Sequence, residues 1–211
     1  MKFKSGIYFI ITLVIVVACN KVEPPDDNGL PDGATPYTES DIQFVPYTSG
    51  NKVFKRMPAL DSTLILEFKE RIRTEEYFAW DQTFFTLSVD SELELELRLR
   101  YLQTEDESQK TLALYMPYRD GTSQDSIRQN VFEMPIDPTN LSNSFFQNHI
   151  VYHDTIIISS VEWYDVYEVN ELVSTDPGKD GPTNFDKIFY NKIYGIIRMN
   201  QKNGTDWVLQ Q

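Results

Sequence analysis

Residues 91–101 of the chain read Ser-Glu-Leu-Glu-Leu-Glu-Leu-Arg-Leu-Arg-Tyr. From Leu93 to Tyr101 every second residue is apolar, and the residues between them are charged. On a helix these leucines would scatter around the axis, whereas on a strand, whose successive side chains point to opposite sides, they form one apolar stripe. The stretch therefore predicts a strand of an antiparallel sheet, with one face against a core and the other in water.

Shorter stretches on both sides of this strand show the same alternation and are bounded by polar or turn residues. The run 150–169 is rich in Ile, Val, Tyr and Trp, which predicts two strands with a break near Ser159 and Ser160. Residues 137–146 predict one short helix, because Pro138 is tolerated in a first helical turn. The other strands predicted before residue 150 cover 64–72, 84–89, 112–116 and 131–136.

The C-terminal part of the chain predicts a meander of three strands, over 185–190, 193–199 and 205–209. Asn191-Lys192 suits the first tight turn, and Asn203-Gly204 supplies the positive φ that favours the second. The chain thus holds eight or more predicted strands without a parallel crossover, in a single domain over 51–211. The predicted fold class is all-β, as an antiparallel β-sandwich or a flattened, partly open β-barrel.

The chain is acidic, with a formal net charge of -13, and it has 41% hydrophobic and 13% aromatic residues. This apolar content suffices for a buried core. This negative charge repels phosphate backbones and anionic headgroups, so we expect no nucleic-acid partner. The simplest role of the acidic surface is to keep the protein soluble. The single cysteine excludes an internal disulfide framework and a cysteine-rich zinc site.

The first residues have the layout of a secretory signal. Lys2 and Lys4 precede an apolar run over 6–18. A membrane-spanning helix needs about twenty residues, so this run is too short for a stable anchor. Residues 1–18 therefore predict a signal peptide that is cleaved after export.

The leader ends Val16-Val17-Ala18-Cys19, which resembles the lipobox of bacterial lipoproteins. In that motif small residues admit the peptidase, and the cysteine thiol receives the lipid. Acyl chains, palmitate among them, would then anchor the protein through Cys19, at about 0.8 kcal/mol per buried methylene. The alternative is an ordinary signal peptide followed by a cysteine that is there by chance.

Residues 19–50 predict a lipidated cysteine followed by a flexible tether with a typical span of roughly 30 Å. The acidic residues Glu23, Asp26 and Asp27 leave two interpretations open, a signal for export to the outer face or a plain solvated linker. The residues that resist regular structure here are Pro24, Pro25, Gly29, Pro31, Gly33 and Pro36.

Several motifs near the C-terminus look structural: a strand with exposed tyrosines, a glycine that admits close strand approach, and a terminal Trp and Leu that seal a core. With the leader, they resemble a broad group of uncharacterised envelope lipoproteins of the Bacteroidota. The resemblance implies a lipid-anchored location, at the outer membrane on its periplasmic or surface face, and no defined activity. The motifs are Tyr164-Asp165-Val166-Tyr167, Ile188-Phe189-Tyr190, Tyr194-Gly195-Ile196-Ile197 and Asn203-Gly204-Thr205-Asp206-Trp207-Val208-Leu209.

Three sites resemble the Asp-Ser/Thr-apolar acceptors of O-linked glycans on exported proteins of that lineage. The acceptor residues would be Ser62, Ser126 and Thr155, each preceded by an aspartate. Because Asp before Ser or Thr is also common in turns, a purely structural role remains the alternative.

The sequence has no glycine-rich phosphate loop, no Gly-x-Ser-x-Gly elbow and no Cys/His pair. His149 and His153 suit a metal only on a helix, and on the predicted strand they would lie about 13 Å apart. The loop 176–181 lacks two ligands of a calcium loop, so we expect an acidic hairpin loop. Acidic pairs such as Glu75-Glu76, or Glu162 with Asp165, could serve a glycosidase, but such pairs are common in this chain.

Aromatic clusters are the most suggestive binding feature, because exposed aromatic rings stack on sugars. The candidate ligand-contact residues are Tyr77, Trp80, Trp163 and Tyr164. Core packing at strand ends explains them as well, and we favour that interpretation.

The sequence therefore predicts a non-enzymatic envelope lipoprotein, held at a membrane by its lipid, that binds a protein or glycan partner. No cofactor and no metal are expected. Two alternatives stay open: a periplasmic carrier of a lipid or another apolar ligand within a curved sheet, and a hydrolase that uses two carboxylates.

Overall fold

A computed structural model describes residues 34–73, 79–103, 108–119, 127–142, 144–172 and 184–211. None of the helices in these residues is long and apolar enough to cross a membrane. The described elements are α1 Glu39–Ile42, β1 Asn51–Met57, β2 Thr63–Arg73, β3 Ala79–Leu87, β4 Asp90–Gln103, β5 Ser108–Arg119, β6 Ile127–Pro135, a 3-10 helix Pro138–Ser142, α2 Ser144–Gln147, β7 Ile150–Ile158, β8 Val161–Asn170, β9 Phe185–Asn191, β10 Gly195–Gln201 and β11 Asp206–Leu209.

All eleven described strands belong to one sheet, in the order β6-β5-β4-β3-β2-β1-β11-β10-β9-β8-β7. Neighbouring strands are antiparallel, and the sheet is nearly closed into a barrel. The predicted all-β class is confirmed, and the barrel rather than the sandwich is the form observed. β1 was not predicted, because Lys52, Lys55 and Arg56 interrupt its apolar residues.

β4 has the alternation that its sequence predicts. Leu95, Leu97 and Leu99 are fully buried, while the charged residues between them stay partly exposed. Leu97 lies opposite Leu114 of β5, and Leu95 lies opposite Phe85 of β3. Because these inward stripes are in register on neighbouring strands, their side chains fill the interior of the barrel.

The barrel closes where the edge strand β6 meets the ends of β8 and β9. The backbone nitrogen of Leu172 donates to the carbonyl oxygen of Val131 at 2.9 Å, next to the end of β8. The side-chain amide of Asn130 in β6 donates to the side chain of Asn184, at 3.0 Å, and to the carbonyl oxygen of Phe185. Polar contacts to β8 and β9 thus replace a strand ladder where β6 meets them.

The predicted elements of the C-terminal half are confirmed. The break between β7 and β8 falls at Ser159 and Ser160, whose φ angles are 51° and 67°. β9, β10 and β11 form the predicted meander, with β10 paired to both neighbours. The predicted helix over 137–146 is present as two short segments, the 3-10 helix and α2.

The segment before β1 is folded, which corrects the boundary placed at residue 50. Its prolines predicted a tether, but Ile42, Phe44, Val45 and Tyr47 are all buried. Helix α1 starts at a capping box in which the Thr38 and Asp41 side chains each accept from the other's backbone nitrogen. Residues 35–47, called the plug below, therefore belong to the domain, whereas Cys19 and the earlier part of the predicted tether lie outside the described residues.

The plug runs across one end of the barrel, called the mouth below, where β4 and β9 end and β5 and β10 begin. At one rim the Tyr101 hydroxyl donates to the carbonyl oxygen of Thr35 at 2.9 Å. Elsewhere on the rim the Tyr190 hydroxyl donates to the carbonyl oxygen of Phe44 at 2.7 Å. The plug is thereby attached to strands far apart in the sheet.

The outer half of the β7–β8 hairpin lies against the outside of the barrel. Within the described residues, β8 pairs with β9 only from Val166 to Asn170. Beyond them, Ile158 and Trp163 of the hairpin join a second apolar cluster, separate from the core. The other buried members of this outer cluster are Val166, Phe189, Ile197 and Val208, which alternate with inward-facing neighbours on β8 to β11.

Candidate functional site

A cleft of about 670 Å³ opens at the mouth of the barrel. The plug forms one wall, and the bend of the β7–β8 hairpin with the β9–β10 turn forms the other. A volume of this size is within the roughly 300–1,000 Å³ usual for small-molecule sites. The lining of the cleft includes Phe44, Arg71, Arg73, Tyr152, Asp165 and Lys192.

Arg71 and Asp81 form a buried ion pair beneath the plug. The guanidinium donates to both carboxylate oxygens, with Nε to Oδ1 at 3.0 Å and Nη2 to Oδ2 at 2.7 Å. Asp81 is fully buried. The same guanidinium donates to the carbonyl oxygens of Tyr47, at 3.0 Å, and of Ile42, at 3.3 Å. One side chain thus neutralises a buried carboxylate and binds the plug.

A second ion pair attaches the helical part of the plug. Lys110 Nζ lies 2.7 Å from Asp41 Oδ2 and 2.7 Å from the carbonyl oxygen of Pro36. Burial disfavours the charged form of Asp41, but the hydrogen bonds from Lys110 and Thr38 outweigh it and lower the pKa of the Asp41 carboxyl. Asp41 therefore stays ionised beside Lys110 at neutral pH.

Aromatic rings and a carboxylate form the hairpin wall of the cleft. The Tyr152 hydroxyl donates to Asp165 Oδ1 at 2.7 Å, and the Tyr152 and Tyr167 rings meet edge to face at 5.1 Å. Burial, and then the bond to Asp165, raise the pKa of Tyr152 to about 12. Phe44 of the plug meets Tyr167 edge to face at 5.8 Å. The plug and the hairpin thus touch through aromatic rings.

Two cations on the cleft walls are only loosely paired. Arg73 Nε lies 3.8 Å from Asp81 Oδ2, and its side chain is 56% exposed. Lys192 Nζ lies 3.8 Å from Asp165 Oδ2, and its side chain is 55% exposed. Each of these carboxylates already accepts a closer hydrogen bond, Asp81 from Arg71 and Asp165 from Tyr152. Arg73 and Lys192 thus keep donors for another acceptor.

The predicted ligand-contact aromatics lie elsewhere. Trp163 is buried in the outer cluster, with 4% of its surface exposed, and its ring meets Tyr194 edge to face at 5.2 Å. Tyr164 is 57% exposed, and its hydroxyl donates to Glu162 at 2.7 Å. Tyr77 and the side chain of Trp80 are outside the described residues. The core-packing interpretation therefore holds for Trp163.

The predicted modification sites are partly described. Ser62 is half-buried in the β1–β2 turn, and its hydroxyl contacts Asp61, which pairs with Arg56. Thr155 is exposed on the edge strand β7. Cys19 and Ser126 lie outside the described residues.

The two histidines are not arranged for a metal. His149 precedes β7, and His153 Nε2 lies 2.9 Å from Glu168 Oε2, while the other carboxylate oxygen of Glu168 accepts from Lys187. Within the described ranges, no three or more His, Cys, Asp or Glu side chains are grouped closely enough to hold a metal ion. The acidic loop 176–181 is outside those ranges.

Among the strand residues whose burial is described, two carboxylates are fully buried, on opposite sides of the sheet. Asp81 faces the interior, because it lies opposite Leu99. Glu133 faces outward between two core residues, and it accepts from Arg100 Nε at 2.8 Å and from Thr111 Oγ1 at 2.7 Å. Because the sheet separates them, Asp81 and Glu133 cannot act on one substrate.

Glu171, at the end of the barrel opposite the mouth, is a carboxyl with an altered pKa. Burial raises the pKa of Glu171, the neighbouring charge of Asp186 adds to this, and the ion pair with Lys202 at 2.9 Å opposes it. Of the two acidic pairs named in the sequence analysis, Glu75-Glu76 lies outside the described residues. In the second pair, Glu162 accepts a hydrogen bond from Tyr164, and Asp165 lines the cleft.

The residues of the mouth were not predicted as a site. Arg71 and Arg73 end a strand after a register shift between Phe68 and Glu70, so the alternation of β2 does not reveal that Arg71 turns inward. A signal was present in Asp81, a carboxylate within a strand of aromatic residues. No family model, no curated protein and no solved structure matches this chain.

Proposed function

We propose that this chain is a non-enzymatic binding module of the bacterial cell envelope, anchored by lipid on Cys19, that recognises its ligand in the cleft at the barrel mouth. The observation that carries the proposal is the cleft itself, a site of about 670 Å³ whose aromatic and charged walls come from well-packed elements. Binding sites of this kind are concave and largely preformed.

The position of the plug links the anchor to the cleft. The chain enters the domain at the mouth, where Tyr101 and Lys110 bind Thr35 and Pro36, and it then forms a wall of the cleft. A lipid on Cys19 would therefore hold the module by the end at which it binds. This arrangement favours a ligand that is presented near the membrane surface.

A carrier of apolar ligands is the less favoured alternative. Such a carrier needs an enclosed apolar cavity, whereas side chains such as Leu97, Phe132 and Met134 fill the described interior. The mouth cleft is open, and charged groups contribute to its walls. Delipidated protein that extracts a fluorescent fatty acid from solution would favour the carrier.

A carboxylate hydrolase is the third candidate, and Glu171 is its best acid. Its raised pKa next to Asp186 is the kind of environment that an acid catalyst needs. Turnover of a glycoside by the wild type, lost in Glu171→Gln and retained in Glu162→Gln, would favour the hydrolase over the binding module.

The anchor is tested separately from the binding. Intact mass measurement of the protein from membranes should show cleavage before Cys19 and a mass increase from acyl chains, both absent in Cys19→Ala. An uncleaved precursor, or an unmodified Cys19, would contradict the anchored location.

Binding is tested by equilibrium titration of the complete domain with a panel of neutral and acidic oligosaccharides and of peptides. If no member of the panel bound saturably, the proposed binding function would be contradicted.

A further inference from the structure

The mouth cleft contains cations in a molecule that is otherwise strongly acidic. The chain has 32 acidic and 19 basic residues, yet Arg73 and Lys192 both line this one cleft and are both more than half exposed. The two carboxylates near them, Asp81 and Asp165, have shorter bonds to Arg71 and Tyr152. The donors of these two cations are therefore available to an anionic group.

The geometry of Arg73 favours a planar anion. A guanidinium presents several N–H donors in a fixed fork that matches a carboxylate, whereas an ammonium such as that of Lys192 acts as a point charge. With one of each in the same cleft, a carboxylate held by the fork would also be attracted by the ammonium. A single acidic group is thus the simplest ligand for the pair.

The rest of the lining fits a hydroxyl-rich molecule. Ser40 and Gln43 of the plug, and Thr48 directly after it, are exposed at the cleft and offer neutral donors and acceptors. The partly exposed ring of Tyr152 supplies an aromatic surface on the opposite wall. Neutral hydrogen-bonding groups facing an aromatic ring suit a sugar.

From these observations we infer that the mouth cleft binds an acidic saccharide, whose carboxylate is held between Arg73 and Lys192 and whose ring lies against Tyr152. The inference rests on the proposed binding function and specifies its ligand. Glu39 of the plug also lines the cleft, and its charge favours placing the carboxylate of the ligand at Arg73 and Lys192 instead.

The test is calorimetric titration of the full domain with trigalacturonate, its neutral methyl ester and triglutamate at low salt. We expect saturable binding of trigalacturonate, weakened at least fivefold for the methyl ester and for triglutamate. Arg73→Gln and Lys192→Gln should each raise the Kd about tenfold, since each removes a charge-assisted bond. Raising the salt concentration should weaken binding of the wild type more than of either variant.

Lys69→Gln is the matched control, because Lys69 is an exposed lysine that pairs with Glu94 at 2.6 Å and is outside the cleft lining. It changes the net charge equally and should leave the Kd within twofold. Equal binding of the methyl ester, equal binding of triglutamate, no binding of trigalacturonate, or an unchanged Kd in both cleft variants would each overturn the inference. The proposed function would survive if a neutral saccharide or a peptide still bound saturably, and fail if the whole panel did not bind.

Discussion

The hydroxyl oxygen of Tyr47 accepts a hydrogen bond from the backbone nitrogen of Ile196, at 2.6 Å. The two residues are 149 positions apart, and both are buried. The hydroxyl occupies the space beside Gly195, which has no side chain and a φ of 77°. This contact joins the plug to β10 and explains why residue 195 is a glycine.

Gly195→Ala should destabilise the protein strongly. A Cβ at this position would lie 2.0 Å from the Tyr47 hydroxyl, and the positive φ adds backbone strain. We expect a loss of about 2–4 kcal/mol in unfolding free energy, measured by urea denaturation. Gly204→Ala is the control, because its φ is 84° but no atom lies within 4 Å of its Cβ position, so it should lose only about 1–2 kcal/mol. Equal losses would contradict the steric explanation.

Tyr47→Phe should cost about 1–3 kcal/mol, because it leaves the buried Ile196 N–H without its acceptor. Tyr164→Phe removes a hydroxyl that is bonded on an exposed side chain, and its effect should stay within about 0.5 kcal/mol. Chemical denaturation of both variants measures the difference. Similar values for the two would indicate that the Tyr47 hydroxyl does not hold the plug.

Arg71→Met should be among the most destabilising single changes. It leaves Asp81 charged and buried without its nearest partner, at a cost of about 3–5 kcal/mol. It also removes two donors to the plug, so proteolytic cleavage within 35–47 should accelerate relative to the wild type. Lys69→Met breaks an exposed ion pair and should cost at most about 1 kcal/mol. A stable Arg71→Met with a protected plug would contradict the assigned role.

Acid should weaken the attachment of the plug through Asp41. The folded-state pKa of this carboxyl is lowered below 3.8, so its ionised form stabilises the fold above that pH, and the contribution is lost as the pH falls through the folded-state value. Asp41→Asn keeps an acceptor for Thr38 but lacks the charge opposite Lys110. Thermal unfolding should show the variant less stable than the wild type at pH 7, with the difference shrinking as the pH falls through the folded-state pKa of Asp41. If the stability difference between Asp41→Asn and the wild type did not change with pH, the role assigned to the Asp41 charge would be contradicted.

Ser160→Gly should stabilise the β7–β8 turn. Both turn residues have positive φ, which costs an ordinary residue roughly 1–2 kcal/mol and glycine very little. Glycine also raises the conformational entropy of the unfolded chain, which offsets part of this stabilisation. The expected net gain in unfolding free energy is about 0.5–1 kcal/mol. Ser49→Gly, at an exposed bend outside the positive-φ positions, should be neutral or destabilising. The melting temperatures of the two variants give the comparison.

The strands were predictable because burial on one face imposes a period of two on the sequence. Leu93 to Tyr101 and the break at Ser159 and Ser160 are local signals, and the structure confirms both. Closure into a barrel was not predictable, because it depends on how β6 meets β8 and β9. Strand alternation in a single chain is the same for a sandwich and for a barrel.

The candidate site was less predictable than the fold. Its walls come from the plug, the end of β2, the β7–β8 bend and the turn at Lys192, and nothing in the spacing of these residues connects them. Composition also misled, because prolines before residue 50 indicated a tether where Phe44 and Tyr47 enter the core. The apolar run that contains Phe44 and Tyr47 is too short to be recognised from the sequence as a folded segment.

The plug has a consequence for the order in which the molecule is made. Its binding partners Tyr190 and Ile196 are 146 and 149 positions away from the plug residues that they contact. During synthesis the plug emerges early, but its seat on β9 and β10 exists only after nearly the whole chain has been translated. Contacts of such long sequence separation form slowly, because they carry the entropy of closing a long loop. The part of the plug that contacts Tyr190 and Ile196 therefore has no binding site until nearly the whole chain has been made.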